Sequence, residues 1–204
     1  MSEKSTVIVV DDDRAVRDAL TFMLAQQKFA VRTFDSATAF LAGCKSLPRS
    51  CAIVDIRMPG MDGMELQSEL SKRGIALPLI FLTGHGDIQM SVRAMKAGAV
   101  DFLTKPVSRA ALLQSVQAAL AECDRQASRA RVNKKLTAAV GCLTEREREV
   151  MLLLARGLTN KEVARRLQIS HRTVEVHKAR VMRKTGAESL VELADMAKAT
   201  GMRD

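Results

Sequence analysis

Five side chains that could do chemistry follow four apolar runs typical of buried strands. Asp11 and Asp12 follow the first run, Asp55 ends the third, Thr83 ends the fourth and Lys105 follows the fifth. Carboxylates crowded at the end of a buried strand repel one another and lose hydration. A solvated turn or a bound cation must offset that cost, and the rest of the chain decides between the two.

The first 120 residues alternate strand-like and helix-like patterns. The strand-like runs are TVIVV, FAVRTF, CAIVD, LPLIFLT and AVDFL, and amphipathic helical stretches lie between them. Five such repeats predict an α/β fold, a doubly wound, flavodoxin-like parallel sheet of five strands with helices on both faces. Because ligands in this fold bind beyond the carboxyl ends of the strands, the five side chains are expected at one edge.

Three carboxylates, one hydroxyl and one ammonium form a recognisable chemical set. The oxygen ligands suit a hard cation such as Mg²⁺. A carboxylate can also attack phosphorus while Lys105 and a cation neutralise the charge that develops on the phosphoryl oxygens. Solvated loop positions would explain the acidic residues alone, but neither the lysine nor the hydroxyl. Asp13 and Asp62 are assigned to ordinary turns.

The basic charge of the chain is concentrated in its C-terminal third. Residues 1–125 hold 15 Lys+Arg and 14 Asp+Glu, a net charge of +1, whereas residues 126–204 hold 17 and 9, a net charge of +8. A positive surface on one small domain predicts a polyanion partner, here nucleic acid, although a basic face can also be only solvated. The chain shows no signal peptide and no apolar run long enough to span a bilayer, so we expect a cytoplasmic protein without a membrane partner.

A short helix, a tight turn and a second helix predict a helix-turn-helix within a small domain of four helices and no strand. The first helix runs over residues 161–167, QIS forms the turn, and Ser170 is a good N-cap for the second helix. Thr144 with Glu147, and Thr159 with Glu162, fit the capping-box pattern. Residues 158–184 hold eight Lys+Arg and two Asp+Glu, so most of the excess charge lies here.

Helical geometry separates two faces of the second helix. Val174, His177, Val181 and Thr185 share one side, which should face the other helices. The opposite side mixes arginines with residues that contact bases in the major groove; it carries Arg172, Glu175, Val176, Ala179, Arg180 and Arg183. A further set is better placed for phosphates, namely Thr159, Asn160, Lys161, Thr173 and Lys178, although Lys178 could instead extend along the helix surface.

The motifs VVDDD, DIRMPGMDG, TGHGD and FLTKP, in this order and spacing, resemble the receiver domain of two-component response regulators. The resemblance implies that Asp55 accepts a phosphoryl group and that Thr83 and Lys105 contact it. It also implies a magnesium site formed by Asp11, Asp12, Asp55 and the main-chain carbonyl of Arg57. In similar receivers an aromatic residue of strand five moves on phosphorylation, and here that position is Phe102, whose alternative role is ordinary core packing.

The segment from Leu143 to about Ala199 is similar to the DNA-binding domain of the LuxR/NarL/FixJ class, and the whole arrangement most resembles FixJ-type regulators. We therefore expect a receiver domain over residues 1–121, a partly helical linker over 122–140 and a LuxR-type helix-turn-helix domain over 141–204. The implied partners are a sensor histidine kinase, double-stranded promoter DNA and a second copy of the chain, which dimerises through the final helix. RNA polymerase is a further candidate.

Two other classes of protein share some of these features. A phosphatase of the haloacid dehalogenase type also uses an aspartyl phosphate and Mg²⁺, but it needs a second carboxylate two residues after the nucleophile, where this chain has Arg57. An RNA-binding antiterminator shares the receiver but ends in a helical bundle without a recognition helix, so the helix-turn-helix disfavours it. The expected function is phosphorylation-controlled regulation of transcription, and no enzyme activity is expected.

Overall fold

The chain folds into two compact units, Met1–Ala127 and Ser128–Asp204. The structure is a computed structural model, and it describes residues 5–43, 49–84 and 88–201. The elements of the first unit, in chain order, are β1 (Thr6–Val10), α1 (Arg14–Ala25), β2 (Ala30–Phe34), α2 (Ala37–Gly43), β3 (Ser50–Asp55), α3 (Gly63–Lys72), β4 (Leu79–Thr83), α4 (Ile88–Lys96) and β5 (Asp101–Thr104). The remaining elements are α5 (Arg109–Gly141), α6 (Glu145–Ala155), α7 (Asn160–Leu167), α8 (His171–Thr185) and α9 (Leu190–Ala199).

The strands form one parallel five-stranded sheet in the order β2-β1-β3-β4-β5. This confirms the predicted doubly wound fold. The strand order reverses between β1 and β3, so the switch point lies beside Asp11 and Asp55, which follow or end those strands. The carboxyl ends of all five strands consequently meet at one edge.

Apolar side chains of the three central strands alternate between two buried cores. Ile8 and Val10 belong to the core under α2, α3 and α4, whereas Val7 and Val9 belong to the core under α1 and α5. Strands covered on both faces have almost no polar positions until their ends, as is typical of parallel sheets. Polar residues at those ends therefore mark the edge of the sheet rather than its faces.

The four predicted helices, α6 to α9, pack with the end of α5 around the separate core of the C-terminal unit. The two predicted capping boxes are both present, at Thr144 with Glu147 and at Thr159 with Glu162. Among the described residues, no helix is long and apolar enough to cross a bilayer.

Helix α5 continues through the whole segment that we expected to be a partly helical linker. Residues 122–140 contain neither glycine nor proline and are rich in alanine, arginine and lysine, which favour a helix. The division between the two units, after Ala127, falls inside this segment. The domain bounds of 1–121, 122–140 and 141–204 stay predictions.

A glycine allows α3 to begin directly against the end of β3. The amide nitrogen of Gly63 donates to the carbonyl of Ile56 at 3.0 Å. A Cβ atom at Gly63 would lie 2.5 Å from the carbonyl oxygen of Asp55 and 3.1 Å from the Cα of Ile56. These neighbours are backbone atoms, which cannot move aside without displacing the strand end.

An ion pair between an exposed lysine and a buried glutamate links α8 to the start of α6 in the C-terminal unit. The ammonium of Lys184 lies 2.6 Å from a carboxylate oxygen of Glu147, whose side chain is 3% exposed. The same ammonium donates to the carbonyl of Cys142 at 3.2 Å. Hydrogen bonding from Lys184, followed by that from the backbone of Thr144, lowers the pKa of Glu147 to about 2.

Replacement of Gly63 by alanine should destabilise the first unit by about 1–3 kcal/mol, because a methyl group would overlap backbone atoms of β3. Urea unfolding followed by far-ultraviolet circular dichroism measures the change, since the chain has no Trp or Tyr for fluorescence. Gly141→Ala is the matched control, because nothing lies within 4 Å of its added Cβ. Equal unfolding free energies for the two variants would contradict the steric argument.

Glu147→Gln should destabilise the protein by about 1–3 kcal/mol at neutral pH, because it leaves Lys184 without its carboxylate while keeping the capping box. The pKa of Glu147 falls from 4.5 to about 2 on folding. Its stabilising contribution is therefore complete above pH 4.5 and is lost as the pH falls towards 2.

The measurement is the free energy of unfolding of wild type and Glu147→Gln between pH 7 and pH 3. The difference between the two proteins should shrink as the pH falls. Glu145→Gln, an exposed position in the same first turn of α6, is the control and should leave stability almost unchanged. A wild-type advantage that is constant across this range would argue against the ion pair as its source.

Candidate functional site

The ammonium of Lys105 lies between two buried carboxylates at the edge of the sheet. Its Nζ atom is 2.7 Å from Oδ2 of Asp11 and 2.9 Å from Oδ1 of Asp55. Asp11 is 1% exposed and Asp55 is 5% exposed. Charged groups so far from water need an opposite charge nearby, which the lysine provides. The structure thus brings together three of the predicted site residues.

A third carboxylate completes an acidic cluster. One oxygen from each of Asp11, Asp12 and Asp55 lies within 4.8 Å of the other two. Unlike its two neighbours, Asp12 is exposed to solvent. The donors are all carboxylate oxygens, and a single ammonium faces three carboxylates, so the cluster fits a hard divalent cation such as Mg²⁺.

Burial and hydrogen bonding act on the two charged partners in opposite ways. Burial raises the pKa of Asp55, and this effect exceeds the lowering caused by the hydrogen bond from Lys105. Burial by itself would lower the pKa of Lys105, but hydrogen bonds to Asp11 and Asp55 outweigh it, so that this pKa is raised. The lysine therefore keeps its charge, while Asp55 carries an uncompensated cost of burial that a further cation would relieve.

Thr83 lies at the same edge, at the end of β4. It is 1% exposed and is paired in register with Thr104 of β5. Its carbonyl accepts a hydrogen bond of 2.7 Å from the amide of Lys105, which joins the ends of these two strands. Arg57, two residues beyond Asp55, has an exposed side chain. The rest of the TGHGD motif, residues 85–87, lies outside the described residues.

Asp13 and Asp62 are helix caps rather than cluster residues. The side chain of Asp13 accepts a hydrogen bond from the amide of Ala15 and begins α1. Asp62 begins α3 through a capping box with Glu65. Both were assigned to ordinary turns. The D-x-x-E spacing could have identified Asp62 as an N-cap, since aspartate also serves at that position.

Arg17 contacts the backbone of the acidic turn, and no sequence motif revealed this contact. Its Nη1 atom donates to the carbonyl of Asp11 at 2.7 Å and to the carbonyl of Asp12 at 3.0 Å. It comes from the first turns of α1 and bridges back to the acidic turn. A lone arginine on an amphipathic helix would ordinarily be interpreted as a solvated residue, which is why sequence reasoning missed it.

Phe102 lies on β5 opposite Phe81 of β4. It is half-buried and packs against the core under α4. The amide of Phe102 donates to the carboxylate of Asp101, which also accepts a hydrogen bond from the hydroxyl of Ser115 on α5. The Phe102 side chain is therefore in contact with the core and also partly exposed to solvent.

The helix-turn-helix has the predicted elements. Helix α7 ends at Leu167, and its C-cap Gln168 turns the chain through a left-handed conformation (φ 53°). Ser170 begins α8 by accepting a hydrogen bond from the amide of Thr173. Arg146 of α6 donates to the carbonyl of Leu167 and so holds the end of α7. These contacts fix α7 and α8 within the C-terminal unit.

The two faces of α8 are exposed and buried as predicted. Val174, Val181 and Thr185 are buried and His177 is half-buried. The opposite side is exposed along its length, and it carries Arg172, Glu175, Val176, Ala179, Arg180 and Arg183. Of the residues predicted to contact phosphates, Thr159 and Lys161 are exposed; the half-buried ones are Asn160, Thr173 and Lys178.

Comparison with known proteins gives two family matches. Residues 7–117 match the response regulator receiver domain, and residues 141–197 match the luxR family of bacterial regulatory proteins. The chain is 43% identical to the transcriptional regulatory protein FixJ of Bradyrhizobium diazoefficiens over 99% of this chain and 98% of that protein.

Two solved structures show the same similarity. The response regulator StyR is 41% identical with a TM-score of 0.76, covering 96% of this chain and 98% of StyR. Full-length FixJ from B. japonicum is 41% identical with a TM-score of 0.60, and all of both chains is covered. The chain therefore belongs to the FixJ-type response regulators, which join a receiver domain to a LuxR-type DNA-binding domain and regulate transcription under the control of phosphorylation, and it is not an enzyme.

Proposed function

We propose that a sensor histidine kinase phosphorylates this protein at Asp55 and that the acyl phosphate controls its binding to promoter DNA. The observation that carries the proposal is the buried carboxylate of Asp55, 2.9 Å from the ammonium of Lys105 and within the same cluster as Asp11 and Asp12. A receiver domain implies a histidine kinase partner, and a LuxR-family domain implies binding to DNA.

In the proposed transfer, a carboxylate oxygen of Asp55 attacks the phosphorus. A P–O bond forms to the aspartate while the P–N bond to the kinase histidine breaks, and the histidine leaves with its electron pair. Lys105, released from its contact with Asp55, faces the incoming phosphoryl oxygens. Thr83 offers its hydroxyl to the same group from the end of β4.

Receiver domains bind Mg²⁺ at an acidic pocket, and the carboxylate cluster is such a pocket. In this chain Asp11, Asp12, Asp55 and the main-chain carbonyl of Arg57 would hold the ion. When bound, Mg²⁺ supplies positive charge against the phosphoryl oxygens. We propose that the chain's own residues place the acceptor oxygen and screen it from water.

Phosphorylation adds negative charge and acceptor oxygens beside Thr83. In the proposed switch, the loop after Thr83 moves inward to bind the phosphoryl group, and Phe102 turns into the space that the loop leaves. The half-buried position of Phe102 supports this role, because a fully packed side chain could not move without opening a cavity. The surface formed by α4, β5 and α5 would change with it.

For DNA, we propose that the exposed side of α8 enters the major groove. Arg172, Glu175, Val176 and Ala179 face base edges there, with Arg180 and Arg183 beside them, while Thr159, Asn160, Lys161, Thr173 and Lys178 contact phosphates. A dimer on DNA would form through α9, where Val191 is 72% exposed. A regulator of this kind acts in the cytoplasm, and RNA polymerase is a further proposed partner.

Incubation with Mg²⁺ and acetyl phosphate should add one phosphoryl group to wild-type protein and none to Asp55→Asn, since the amide lacks the nucleophilic oxygen. Intact-mass measurement detects the gain. Asp62→Asn is the control, because this aspartate caps α3 and should leave phosphorylation intact.

Phosphorylated Asp55→Asn would disprove the assignment of the acceptor.

In the same samples, amide hydrogen exchange reports on the switch. Protection should change in β5 and the neighbouring helices only in the phosphorylated wild type. Unchanged exchange at Phe102 would refute the switch while leaving the acceptor in place.

Glu175→Gln should alter the preferred base at one position of each half-site. A carboxylate accepts a hydrogen bond from cytosine N4, whereas an amide pairs with adenine through N6 and N7. Selection from randomised duplexes at one stated salt concentration measures the preference.

Lys161→Ala is the matched control for this experiment. Loss of one phosphate contact per subunit should weaken binding to all sequences and reduce the salt slope by about 1 for each bound subunit, without changing the preferred bases. The proposed base contact fails if Glu175→Gln selects the wild-type sequence. Tighter binding to hairpin RNA than to duplex DNA would contradict the DNA-binding role as a whole.

A further inference from the structure

One arginine holds the backbone of the turn that carries two of the three clustered carboxylates. Nη1 of Arg17 donates to the carbonyl of Asp11 at 2.7 Å and to that of Asp12 at 3.0 Å. The side chain is half-buried against the turn. Because both contacts are made to main-chain oxygens, they fix the path of the chain and leave the carboxylates available.

The two carboxylates of this turn differ in what holds them. The Asp11 carboxylate accepts hydrogen bonds from the ammonium of Lys105 at 2.7 Å and from the amide of Asp13 at 2.9 Å. In the described part of the chain, the exposed Asp12 carboxylate has no hydrogen bond or ion pair of its own. The backbone sets the direction in which the Asp12 side chain leaves the chain, and the carbonyl of that backbone is bound by Arg17.

We infer that Arg17 is a positioning residue for the cation site: it holds the Asp11–Asp12 backbone so that the Asp12 carboxylate is aimed at the cation before the cation binds. The inference rests on the proposed magnesium site. Residues that orient metal ligands without touching the metal commonly change affinity for the metal by about 10- to 100-fold. A ligand that must be ordered during binding loses affinity through the entropy of its side chain.

Charge and position predict opposite signs for the loss of Arg17. If the guanidinium acted only through its charge, removal would reduce repulsion of a cation and Mg²⁺ would bind more tightly. If the guanidinium positions Asp12, removal should weaken binding. Mg²⁺ affinity therefore distinguishes the two roles by direction, without reliance on a precise magnitude.

The test uses the full chain and Mg²⁺ alone, with affinity measured by isothermal titration calorimetry. Arg17→Ala should bind Mg²⁺ about tenfold more weakly than wild type. Arg17→Lys keeps the charge and one donor group, and its affinity should lie between the two. The matched control is Arg14→Ala, which removes a charge from the same helix; this arginine is 86% exposed and lies 3.6 Å from Asp18. The affinity of Arg14→Ala for Mg²⁺ should match that of wild type.

A second measurement separates positioning from damage to the fold. Phosphorylation by acetyl phosphate is followed by intact mass as Mg²⁺ is varied. For Arg17→Ala the half-saturating concentration of Mg²⁺ should rise about tenfold, whereas the rate at saturation should stay near that of wild type. A disrupted fold would lower the saturated rate and the far-ultraviolet circular dichroism signal, in which case Arg17→Lys carries the test.

The outcomes separate this inference from the function on which it rests. Equal or tighter Mg²⁺ binding by Arg17→Ala, with a wild type that binds Mg²⁺ and is phosphorylated, would overturn the positioning role alone. A reduced saturated rate with an unchanged half-saturating concentration in both Arg17 variants would also overturn it. A wild type that binds no Mg²⁺ and gains no phosphoryl group would overturn the proposed function, and the positioning role with it.

Discussion

The contact of the Lys105 ammonium with the carboxylates of Asp11 and Asp55 is the interaction on which the N-terminal unit depends. Both carboxylates are almost fully buried, and the ammonium lies 2.7 and 2.9 Å from them. Without it, two like charges would share a site away from water, at a cost of several kcal/mol. The strand order explains why they meet there at all, since β1 and β3 are neighbours and their carboxyl ends share the switch point.

The C-terminal unit uses a partly buried ion pair for a different purpose. Glu147 and Lys184 are 2.6 Å apart and join the start of α6 to the end of α8. The pair holds the end of α8 against the start of α6. Most of the excess positive charge remains on the exposed surface, where it is hydrated until a polyanion replaces the water and counterions. The N-terminal unit therefore buries a few charged side chains in one cluster, whereas the C-terminal unit keeps most of its basic side chains exposed to solvent.

The sequence was most informative where local chemistry determines local structure. Runs of β-branched residues gave the strands to within about two residues, and the T-x-x-E patterns gave two helix starts. Convergence of Asp11, Asp55 and Lys105 could be predicted because a parallel sheet brings strand ends together. Gly63 and Arg17 could not be identified, because their importance lies in a close approach to backbone atoms that no side-chain pattern records. The full extent of α5 was also missed, since a polar segment without periodicity resembles a loop until its high helix propensity is considered.

The structure also limits how a signal at Asp55 could travel. Asp55 ends β3, and the amide of the next residue, Ile56, donates to the carbonyl of Leu82 on β4. The carbonyl of Thr83 is in turn bound by the amide of Lys105 at 2.7 Å. In the proposed mechanism these hydrogen bonds connect a change at Asp55 to β4 and β5, the side of the sheet that holds Thr83 and Phe102. On the other side, the acidic turn is held by Arg17 and by the cap at Asp13, so it resists the same displacement. In the proposed mechanism this asymmetry directs the response towards α4, β5 and α5 and keeps the cation ligands in place.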